Sequence, residues 1–540
     1  MVEPTYRPLM QYEGVDGFLC DWHLAGPFES GLAVNPNVCL FQKKVATEWE
    51  RDHLAPWGGC ANVSAPPPNL AGVAWNWERL PAVCWAKLSL VLGAQEFSAW
   101  AGRMEGLDPN GWSKLYYALA IVDSPADADA QLVFSGWDGC RLWINGQTLF
   151  NEHSYHHVIY DMERVKFHLK KGLNTVLFQL DRDGAEARID VPGNLALVGQ
   201  LRGVSYGPAP EPRRIATLVQ LRRHAAQQKV RMPFTGSTAN ELSQWQERFG
   251  AHFWRCLGDA PVSALRPGSE VLISRKQCDG YEERVYHIPT EGGCILPCWV
   301  LVPDKEKFNG RSLVTLHGHC DYRLLLGHTP GGPPLFNYTQ RLARKGFLCG
   351  LVCHRAFSDR RDDLVGGDPC NNAAMLALMQ GLVLARLHIA DIQILLDLLI
   401  TMPGVDPKRI GVTGLSGGGT LTYLSAAYDK RFTAAAEFCG LCRYTEYATG
   451  RDGCGSQIVP GVFPTGDSGE ILSLIAPRPL LLAQGRLDAT FHTLGVKSIA
   501  ADARRAYKAA GAEDRLEVSI FELDHQFDSD IAEGFFLKWL

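Results

Sequence analysis

A serine framed by glycines is the first feature of this 540-residue chain that suggests chemistry. The stretch IGVTGLSGGGT places Ser416 between Gly414 and Gly418. In a Gly-x-Ser-x-Gly turn between a strand and a helix, the flanking glycines avoid a steric clash and leave the serine oxygen exposed as a nucleophile. Because this pattern also occurs by chance in glycine-rich chains, it indicates a nucleophile only if an acid and a base accompany it.

An aspartate and a histidine follow Ser416 in the order that such a nucleophile requires. Asp488 comes shortly after the apolar run RPLLLAQG, and His525 comes shortly after LEVSIFEL. A serine hydroxyl is a weak nucleophile, so His525 would accept its proton. Asp488 would hold the imidazole in the right tautomer and stabilise its charged form. These three residues are the predicted catalytic triad.

Neighbouring residues are weaker candidates for the acid and the base. Asp524 and Asp528 flank the predicted base and Asp467 lies in a polar loop, but none of them follows a strand as the chosen aspartate does. His492 is the main competitor for the base, since it lies just past the predicted acid. The chain order and the strand that precedes it favour His525.

Two backbone amides are expected to stabilise the oxyanion that forms in the reaction. Gly417, directly after the nucleophile, supplies one amide. The other is expected from the turn after the first core strand, with His319 preferred and Cys320 next. The histidines of this turn also suggest a metal, but a His-Gly turn after a buried strand explains His317 without one. The sequence therefore predicts neither a metal nor another cofactor.

The elements that would position these residues form an α/β pattern. Apolar strand candidates alternate with helical segments from Ser312 onward, which is typical of a parallel sheet covered by helices. The candidate strands are residues 312–318, 346–354, 409–416, 433–440, 478–485 and 516–523. One buried helix is predicted from Ala373 to Thr401, and GYEERVYHIP and GCILPCWVLVPD are predicted to pair ahead of the sheet. The triad would lie where the carboxyl ends of three strands meet, the edge at which open α/β folds bind ligands.

The rest of the chain divides by composition. Residues 1–208 are predicted to form an all-β, jelly-roll-like sandwich, because short Trp-, Tyr- and Val-rich runs alternate with turns. Turns are expected at the Trp-Asp-Gly and Asn-Gly of residues 130–150, and a further hairpin around residues 170–174. A helical connector is expected over residues 209–260. The α/β-hydrolase catalytic domain would then span residues 261–540.

Composition argues against several classes of function. The formal charge is −5 and no run of basic residues is present, so nucleic acid is not an expected partner. No secretory signal opens the chain and charged residues interrupt its longest apolar segment, so a cytoplasmic protein without a membrane span is expected. The sixteen cysteines are expected to be free thiols, and Cys439-x-x-Cys442 lacks the second pair of a zinc site. Oligomeric state is not encoded in any visible pattern.

Three stretches together resemble one branch of the α/β-hydrolases. VDPKRIGVTGLSGGGT, IAPRPLLLAQGRLDATF and FELDHQF are similar to the acetyl xylan esterase and dienelactone hydrolase-like enzymes. The resemblance covers roughly residues 270–540 and implies that Ser416, Asp488 and His525 form the triad. Residues 353–358 depart from the Asp-x-Arg-Gly-x-Gly of the family, which implies a different loop shape near the pocket. Asp524 stands where glycine often precedes the histidine.

The N-terminal part resembles the β-sandwich modules found beside glycan-processing enzymes, through GWDGCRLWINGQTLF and LKKGLNTVLFQL. Such modules can bind sugars with exposed aromatic rings, which makes Trp137 and Trp143 candidates. A tryptophan in a β-rich domain is more often part of the core. The histidines of HSYHHV, residues 153–158, are expected on a solvated loop and not at a metal.

The predicted function is that of a serine esterase. It would cleave a carboxylic ester through an acyl-enzyme intermediate, with a small-molecule or glycan ester as substrate: an acetylated sugar, a phenolic ester or a lactone. A serine peptidase is the nearest alternative, since related folds cut peptides. A non-catalytic carbohydrate-binding protein with a hydrolase-like half is an alternative from another class, against which the intact triad argues.

Overall fold

The structure is a computed structural model of the whole chain. The residues it describes are 18–19, 22–29, 32–34, 44–46, 49–63, 78–80, 114–136, 139–153, 163–181, 185–190, 197, 200–201, 204–205, 221, 224–225, 228–330, 335–361, 369–449 and 453–540 without 487, 489 and 492. The chain divides into two compact units, residues 1–228 with 448–451, and residues 229–447 with 452–540.

The first unit is built from short antiparallel strands. In chain order they are β1 (Phe18–Leu19), β2 (Trp22–Glu29), β3 (Leu32–Val34), β4 (Lys44–Ala46), β5 (Glu78–Leu80), β6 (Lys114–Ser124), β7 (Ala128–Gly136), β8 (Gly139–Ile144), β9 (Gln147–His153), β10 (Glu163–Leu169), β11 (Gly172–Asp181), β12 (Ala185–Asp190) and β13 (Val204–Ser205). One sheet has the order β10-β7-β12-β1-β13, and the other has the order β5-β2-β6-β11-β8-β9.

Apolar side chains from both of these sheets form one core. The ring of Phe134 on β7 lies 5.4 Å from that of Phe178 on β11, although the two strands belong to different sheets. The same cluster contains Leu132 and Ile189 from one sheet and Leu142 from the other. Two antiparallel sheets that share a core are the arrangement of a β-sandwich, as predicted.

The turns of this unit agree with the sequence pattern in one place and differ in another. Asn145 and Gly146 join β8 to β9 with φ angles of 50° and 80°, the left-handed conformations that a two-residue Asn-Gly turn requires. The predicted hairpin around residues 170–174 is wrong. β10 pairs with β7 and β11 pairs with β6 and β8, so this turn carries the chain from one sheet to the other.

The second unit contains a nine-stranded sheet in the order β14-β15-β16-β18-β17-β19-β20-β21-β22. Its strands are β14 (Val271–Cys278), β15 (Tyr281–Pro289), β16 (Ile295–Pro303), β17 (Ser312–Leu316), β18 (Leu348–Val352), β19 (Ile410–Leu415), β20 (Ala434–Phe438), β21 (Leu480–Gly485) and β22 (Leu516–Phe521). The pairs from β18 to β22 are parallel, whereas β14, β15, β16 and β18 pair antiparallel. The predicted α/β-hydrolase fold is confirmed, including the leading antiparallel pair.

The helices of this unit precede, separate and follow these strands along the chain. They are α1 (Ala239–Leu257), α2 (Tyr338–Arg344), α3 (Pro369–Met379), α4 (Leu384–Ile400), α5 (Gly417–Tyr428), α6 (Tyr444–Thr449), α7 (Ser468–Ser473), α8 (Thr493–Ala509) and α9 (Ser529–Trp539). Helix α1 begins at a capping box between Thr238 and Glu241 and buries Trp245 and Phe249 in the core of this unit.

The single buried helix predicted from Ala373 to Thr401 is wrong. The segment forms α3 and α4, and Gly381, with a φ of 72°, lies between them in the left-handed conformation that ends many helices. Helix α4 is buried along most of its length, but α3 exposes Met375 and Met379 by 60% and 83%. Among the described residues, no helix is both long and apolar enough to cross a membrane.

Candidate active site

Ser416 occupies a strained turn between β19 and α5. Its φ and ψ angles are 63° and −124°, a conformation that non-glycine residues rarely adopt. The amide of Ser416 donates to the carbonyl of Phe438 at the end of β20, at 2.9 Å. Strain at such a position is typical of functional sites, where the surrounding structure holds it.

The two glycines that frame Ser416 are required by the close approach of β17. A Cβ added to Gly418 would lie 2.1 Å from the carbonyl oxygen of Leu316, and one added to Gly414 would lie 2.5 Å from the same atom. Neither distance is possible for a real Cβ atom. The sequence predicted that these two positions need glycine for steric reasons. The structure shows that the neighbouring strand β17, as well as the turn itself, leaves no room for a side chain.

Asp488 and His525 lie together at the carboxyl ends of β21 and β22. Nδ1 of His525 is 2.8 Å from Oδ2 of Asp488, and the two residues are 2% and 1% exposed. Amides of Thr490 and Phe491 donate to Oδ1 of Asp488 at 2.7 and 3.1 Å. With a carboxylate as the partner, Nδ1 carries the proton, and Nε2 is the nitrogen left to act as a base.

The ionised form of Asp488 is maintained against its burial. Burial acts to raise the pKa of Asp488, but the charge of His525, its hydrogen bond and the two backbone amides together hold the pKa below its ordinary value. A carboxylate that stays ionised can stabilise an imidazolium while the imidazole carries a proton in the reaction.

The turn at Ser416 and the Asp488–His525 pair lie on the same edge of the sheet. Strands β19, β20, β21 and β22 are consecutive neighbours in parallel, so their carboxyl ends point the same way. Cys439, directly after β20, connects the two places. Its Sγ lies within 4.8 Å of ligand atoms of both Asp488 and His525, and the residue before it accepts the amide proton of Ser416.

The competing acids have other partners. Asp528 caps α9 by accepting from the amides of Asp530 and Ile531, and Asp467 caps α7 by accepting from the amide of Ser468. The carboxylate of Asp524 accepts from the side chain of Gln526. The competing base, His492, lies outside the described residues.

The two residues predicted to stabilise the oxyanion lie beside each other. Gly417 is the first residue of α5, where amide groups and the helix dipole favour negative charge. The ring of His319 is next to it, since a Cβ at Gly417 would lie 3.2 Å from Nδ1 of His319. The amide of Cys320 donates to the carbonyl of Gly318 at 2.8 Å, which makes it the poorer second donor. His319 therefore remains the preferred residue for the second amide.

His317 has a structural role. Its Nδ1 is 2.8 Å from the carbonyl of Gly318, and its Nε2 accepts from the amide of His354 at 2.9 Å. Burial lowers the pKa of His317 to about 4, so the ring is neutral. With both ring nitrogens engaged, His317 fixes the turn after β17 and does not bind a metal.

Two residues in the loop after β18 adopt backbone conformations that favour glycine, although neither is a glycine. Ala356 and Ser358 have φ angles of 66° and 42°, in the left-handed region. The guanidinium of Arg355 holds this loop by donating to both carboxylate oxygens of Asp391 on α4, at 3.0 and 2.8 Å. Buried Asp391 also accepts from Arg360 at 2.6 Å, so a salt-bridge network fixes the two unusual conformations.

A cavity of about 360 Å³ lies near the turn that carries the predicted nucleophile, because His319 in its wall is next to Gly417. Its walls are residues 319–321, residues 356–358 with Arg361, and the first two residues of α3, Pro369 and Cys370. Close to this wall, a hydrogen bond from Cys370 outweighs burial and, with a smaller effect of His319, lowers the pKa of Cys454 to about 5. The wall of the cavity therefore holds the imidazole of His319 and the thiol of Cys370, together with the charged residues Asp321 and Arg361.

Two residues next to the triad were missed by the sequence reasoning because they lie inside apolar strands. Nε2 of Gln484 on β21 donates to Oδ2 of Asp488 at 2.9 Å and so orients the carboxylate. Burial raises the pKa of Glu437 on β20 to about 8, and the charge of Asp488 adds to the effect. Glu437 and Gln484 are each the one polar residue of an otherwise apolar strand, and this sequence pattern would have identified them.

The remaining candidates that the structure describes are buried side chains. Trp143 is 5% exposed and belongs to a core cluster of the first unit, whereas Trp137 and residues 154–158 lie outside the described residues. Cys439 and Cys442 are buried and form no disulfide, as is true of most of the described cysteines. Trp143, a candidate for sugar binding, is thus part of the core.

Comparison with known proteins agrees with the geometry. Residues 336–527, which contain all three predicted triad residues, match the dienelactone hydrolase family. YtaP of Bacillus subtilis (strain 168), provisionally named a hydrolase, is 28% identical over 220 residues, which cover 38% of this chain and 69% of YtaP.

Two solved structures resemble part of this chain. A protein provisionally described as an acetyl xylan esterase, from Bacteroides fragilis NCTC 9343, superposes with a TM-score of 0.50 and 17% identity, covering 60% of this chain and 95% of that one. A glucuronoyl esterase from Solibacter usitatus has a TM-score of 0.43 and 13% identity, covering 57% and 97%. At 17% identity, the similarity to the protein from Bacteroides fragilis concerns the fold alone.

Proposed function

We propose that the α/β unit of this chain, which belongs to the dienelactone hydrolase family of α/β-hydrolases, hydrolyses carboxylic esters with Ser416 as the nucleophile. One observation carries the proposal: Nδ1 of His525 lies 2.8 Å from the buried carboxylate of Asp488, on the sheet edge where the strained turn presents Ser416. This is the arrangement that activates a serine.

The reaction would proceed in two stages. Nε2 of His525 takes the proton of Ser416 as its oxygen attacks the ester carbonyl, and the amides of Gly417 and His319 stabilise the oxyanion. The protonated imidazole then gives its proton to the leaving alcohol. A water molecule, activated by the same nitrogen, releases the acid from the acyl-enzyme.

The substrate class is narrowed by the cavity. A volume of about 360 Å³ lies at the lower end of the range for small-molecule sites. We infer an ester with a small acyl group, such as an acetyl ester of a carbohydrate or of a phenolic compound. No contact within the described residues selects a carbohydrate as the alcohol part of the substrate. Assays with a panel of sugar, phenolic and lactone esters would identify the substrate class.

The direct test uses short-chain aryl esters that release a chromophore. Ser416→Ala is expected to lower kcat by about a thousandfold or more, because the nucleophile is lost. Ser425→Ala is the matched control: it makes the same change in the buried part of α5, where the hydroxyl lacks a hydrogen-bond partner among the described residues. Equal rates for wild type and Ser416→Ala would disprove the proposal.

The identity of the base can be tested separately. His525→Ala is expected to match Ser416→Ala in kcat, because the serine cannot be activated without its proton acceptor. His492→Ala is expected to retain activity within about tenfold of wild type. The opposite result would transfer the role of the base to His492.

A further inference from the structure

Three metal-binding side chains converge on the cavity wall, apart from the triad. They are His319 from the turn after β17, Cys370 from the first turn of α3, and Cys454 from the loop between α6 and α7. One ring nitrogen and the two Sγ atoms all lie within 4.8 Å of one another. The cysteines are 2% and 8% exposed, and the histidine is exposed.

Contacts of neighbouring residues help to hold the two cysteines at this spacing, in addition to the hydrogen bond between their thiols. The amide of Gly455 donates to Oδ1 of Asn371 at 2.8 Å, which joins the residue after Cys454 to the residue after Cys370. A Cβ at Gly455 would lie 2.2 Å from Cβ of Ala374, so the loop can approach α3 this closely only with glycine. The sulfur atoms are therefore positioned by the fold.

The donor set selects the type of ion. Two thiolates and one imidazole are the protein ligands that Zn²⁺ prefers, and three protein ligands leave a fourth tetrahedral position for water. We propose that His319, Cys370 and Cys454 form a zinc site. On binding, each thiol that still carries a proton releases it to solvent, and no change of oxidation state occurs.

This site does not use the triad side chains, but it shares His319 with the proposed oxyanion hole, where the backbone amide and not the ring is the donor. The ring of His319 lies against Gly417, directly after the predicted nucleophile, and His319 and Cys370 both line the cavity. A second group of possible ligands, Cys439, Asp488 and His525, also lies within 4.8 Å. In that group the histidine and the aspartate bond to each other, so an ion there would have to break the triad.

A disulfide between the two cysteines is the competing explanation. Neither cysteine forms a disulfide in the structure. A disulfide would use only the two sulfurs and would not account for the imidazole at the same distance, whereas a metal uses all three groups. The experiment has to separate these two outcomes.

The test is a metal titration of the reduced, chelator-treated full-length protein. One equivalent of Co²⁺ is expected to produce thiolate-to-metal charge-transfer absorption, which Zn²⁺ then displaces. Cys370→Ser and Cys454→Ser are each expected to abolish this absorption. His319→Ala is expected to weaken Co²⁺ binding by at least about tenfold, in the range seen when groups around a metal are removed.

Cys439→Ser is the matched control, since it changes a buried cysteine of the other ligand group in the same way. It is expected to leave the absorption unchanged. The proposal is wrong if stoichiometric Co²⁺ gives no charge-transfer absorption, or if Cys439→Ser abolishes it while the cluster variants retain it. It is also wrong if the isolated protein contains a Cys370–Cys454 disulfide and binds no Co²⁺ after reduction.

A second measurement needs no variant and therefore does not depend on whether the variants fold. X-ray absorption at the zinc edge of the wild-type protein is expected to give a first shell with two sulfurs at about 2.3 Å and one imidazole nitrogen at about 2.0 Å. A first shell of oxygen and nitrogen alone would contradict the proposal. Neither measurement involves ester hydrolysis, so failure here and failure of the proposed enzymatic function are distinguishable.

Discussion

At the scale of the residue, the proposed chemistry depends on the Asp488–His525 pair. Burial alone would favour the neutral carboxyl, but a hydrogen bond from Nδ1 of His525 and two backbone amides hold Asp488 ionised. Gln484 adds a fourth donor to the carboxylate. Asp488 is therefore a fixed acceptor that orients His525 and not a proton carrier.

Asp488→Asn is expected to lower kcat for aryl esters by about ten-thousandfold. The amide would offer a donor to Nδ1 and turn the imidazole to the wrong tautomer, while the packing remains almost unchanged. Initial rates of aryl ester hydrolysis at saturating substrate measure kcat, and circular dichroism verifies that the variant is folded. Asp528→Asn is the control, because this residue only caps α9. Equal losses in both variants would remove Asp488 from the reaction.

At the scale of the element, the turn between β19 and α5 is shaped by its contact with β17. Ser416 adopts a positive φ, and the carbonyl of Leu316 approaches both Gly414 and Gly418 too closely for a side chain. The same carbonyl accepts from the hydroxyl of Tyr338 on α2 at 2.6 Å. The turn therefore packs against β17, and β17 is in turn bonded to α2. These contacts maintain the strained conformation of Ser416.

Gly418→Ala is expected to destabilise the protein by about 3 kcal/mol and to reduce esterase activity, because the new Cβ would meet the carbonyl of Leu316 at 2.1 Å. Urea denaturation and the aryl ester assay measure the two effects. Gly534→Ala is the control, since Gly534 lies within α9 with no atom within 4 Å of its added Cβ. This control is expected to raise stability by about 1 kcal/mol. A Gly418→Ala variant as stable as wild type would show that the turn can move away from β17.

At the scale of the whole molecule, the second unit has a core of its own. Its main apolar cluster contains residues from Phe234 to Leu516, and helix α1 contributes Phe249, Phe253 and Leu257, each fully buried. Each such side chain stabilises the fold by about 1.5–3 kcal/mol. Helix α1 is therefore part of this core, although the sequence predicted it as a connector.

A fragment of residues 229–540 is expected to unfold cooperatively, whereas a fragment of residues 261–540 is expected to be largely unfolded. Removal of α1 would expose the apolar surface that its buried residues cover, at a cost comparable to the total stability of a domain. Thermal denaturation followed by circular dichroism compares the two fragments. Equal cooperativity would show that the helix is dispensable and would support the predicted boundary at residue 261.

The stability of this unit is also expected to depend on pH through Glu437. Burial raises the pKa of Glu437 to about 8 from 4.5, so between these values the folded protein keeps a proton that the unfolded chain releases. The free energy of unfolding therefore falls as the pH rises through this window, by at most about 5 kcal/mol, and is constant above it.

Glu437→Gln is expected to remove this contribution and to be more stable than wild type at pH 8, with a smaller difference at pH 5. Urea denaturation at three pH values between these limits provides the measurement. Glu513→Gln, at an exposed position, is the control and is expected to change stability by less than about 0.5 kcal/mol. A difference between wild type and Glu437→Gln that does not grow with pH would contradict the expected protonation.

Much of the fold and of the candidate site could be predicted from local patterns. The six strands from Ser312 onward and the turn at Ser416 follow from apolar runs and glycines, which act over a few residues. The order of the serine, aspartate and histidine along the chain suggested that Asp488 and His525 would meet, and they do at 2.8 Å. The hairpin at residues 170–174 failed because a turn signal does not determine which sheet the next strand joins.

The sequence by itself determined the chemistry of the candidate triad and the α/β class of the fold, because strand periodicity and the glycines around Ser416 are local properties. Only the tertiary structure decided how Asp488 stays ionised and where α1 belongs. It also brought Cys370 and Cys454 to His319. Those outcomes depend on burial and on contacts between segments far apart in the chain, and no spacing within one segment encodes them.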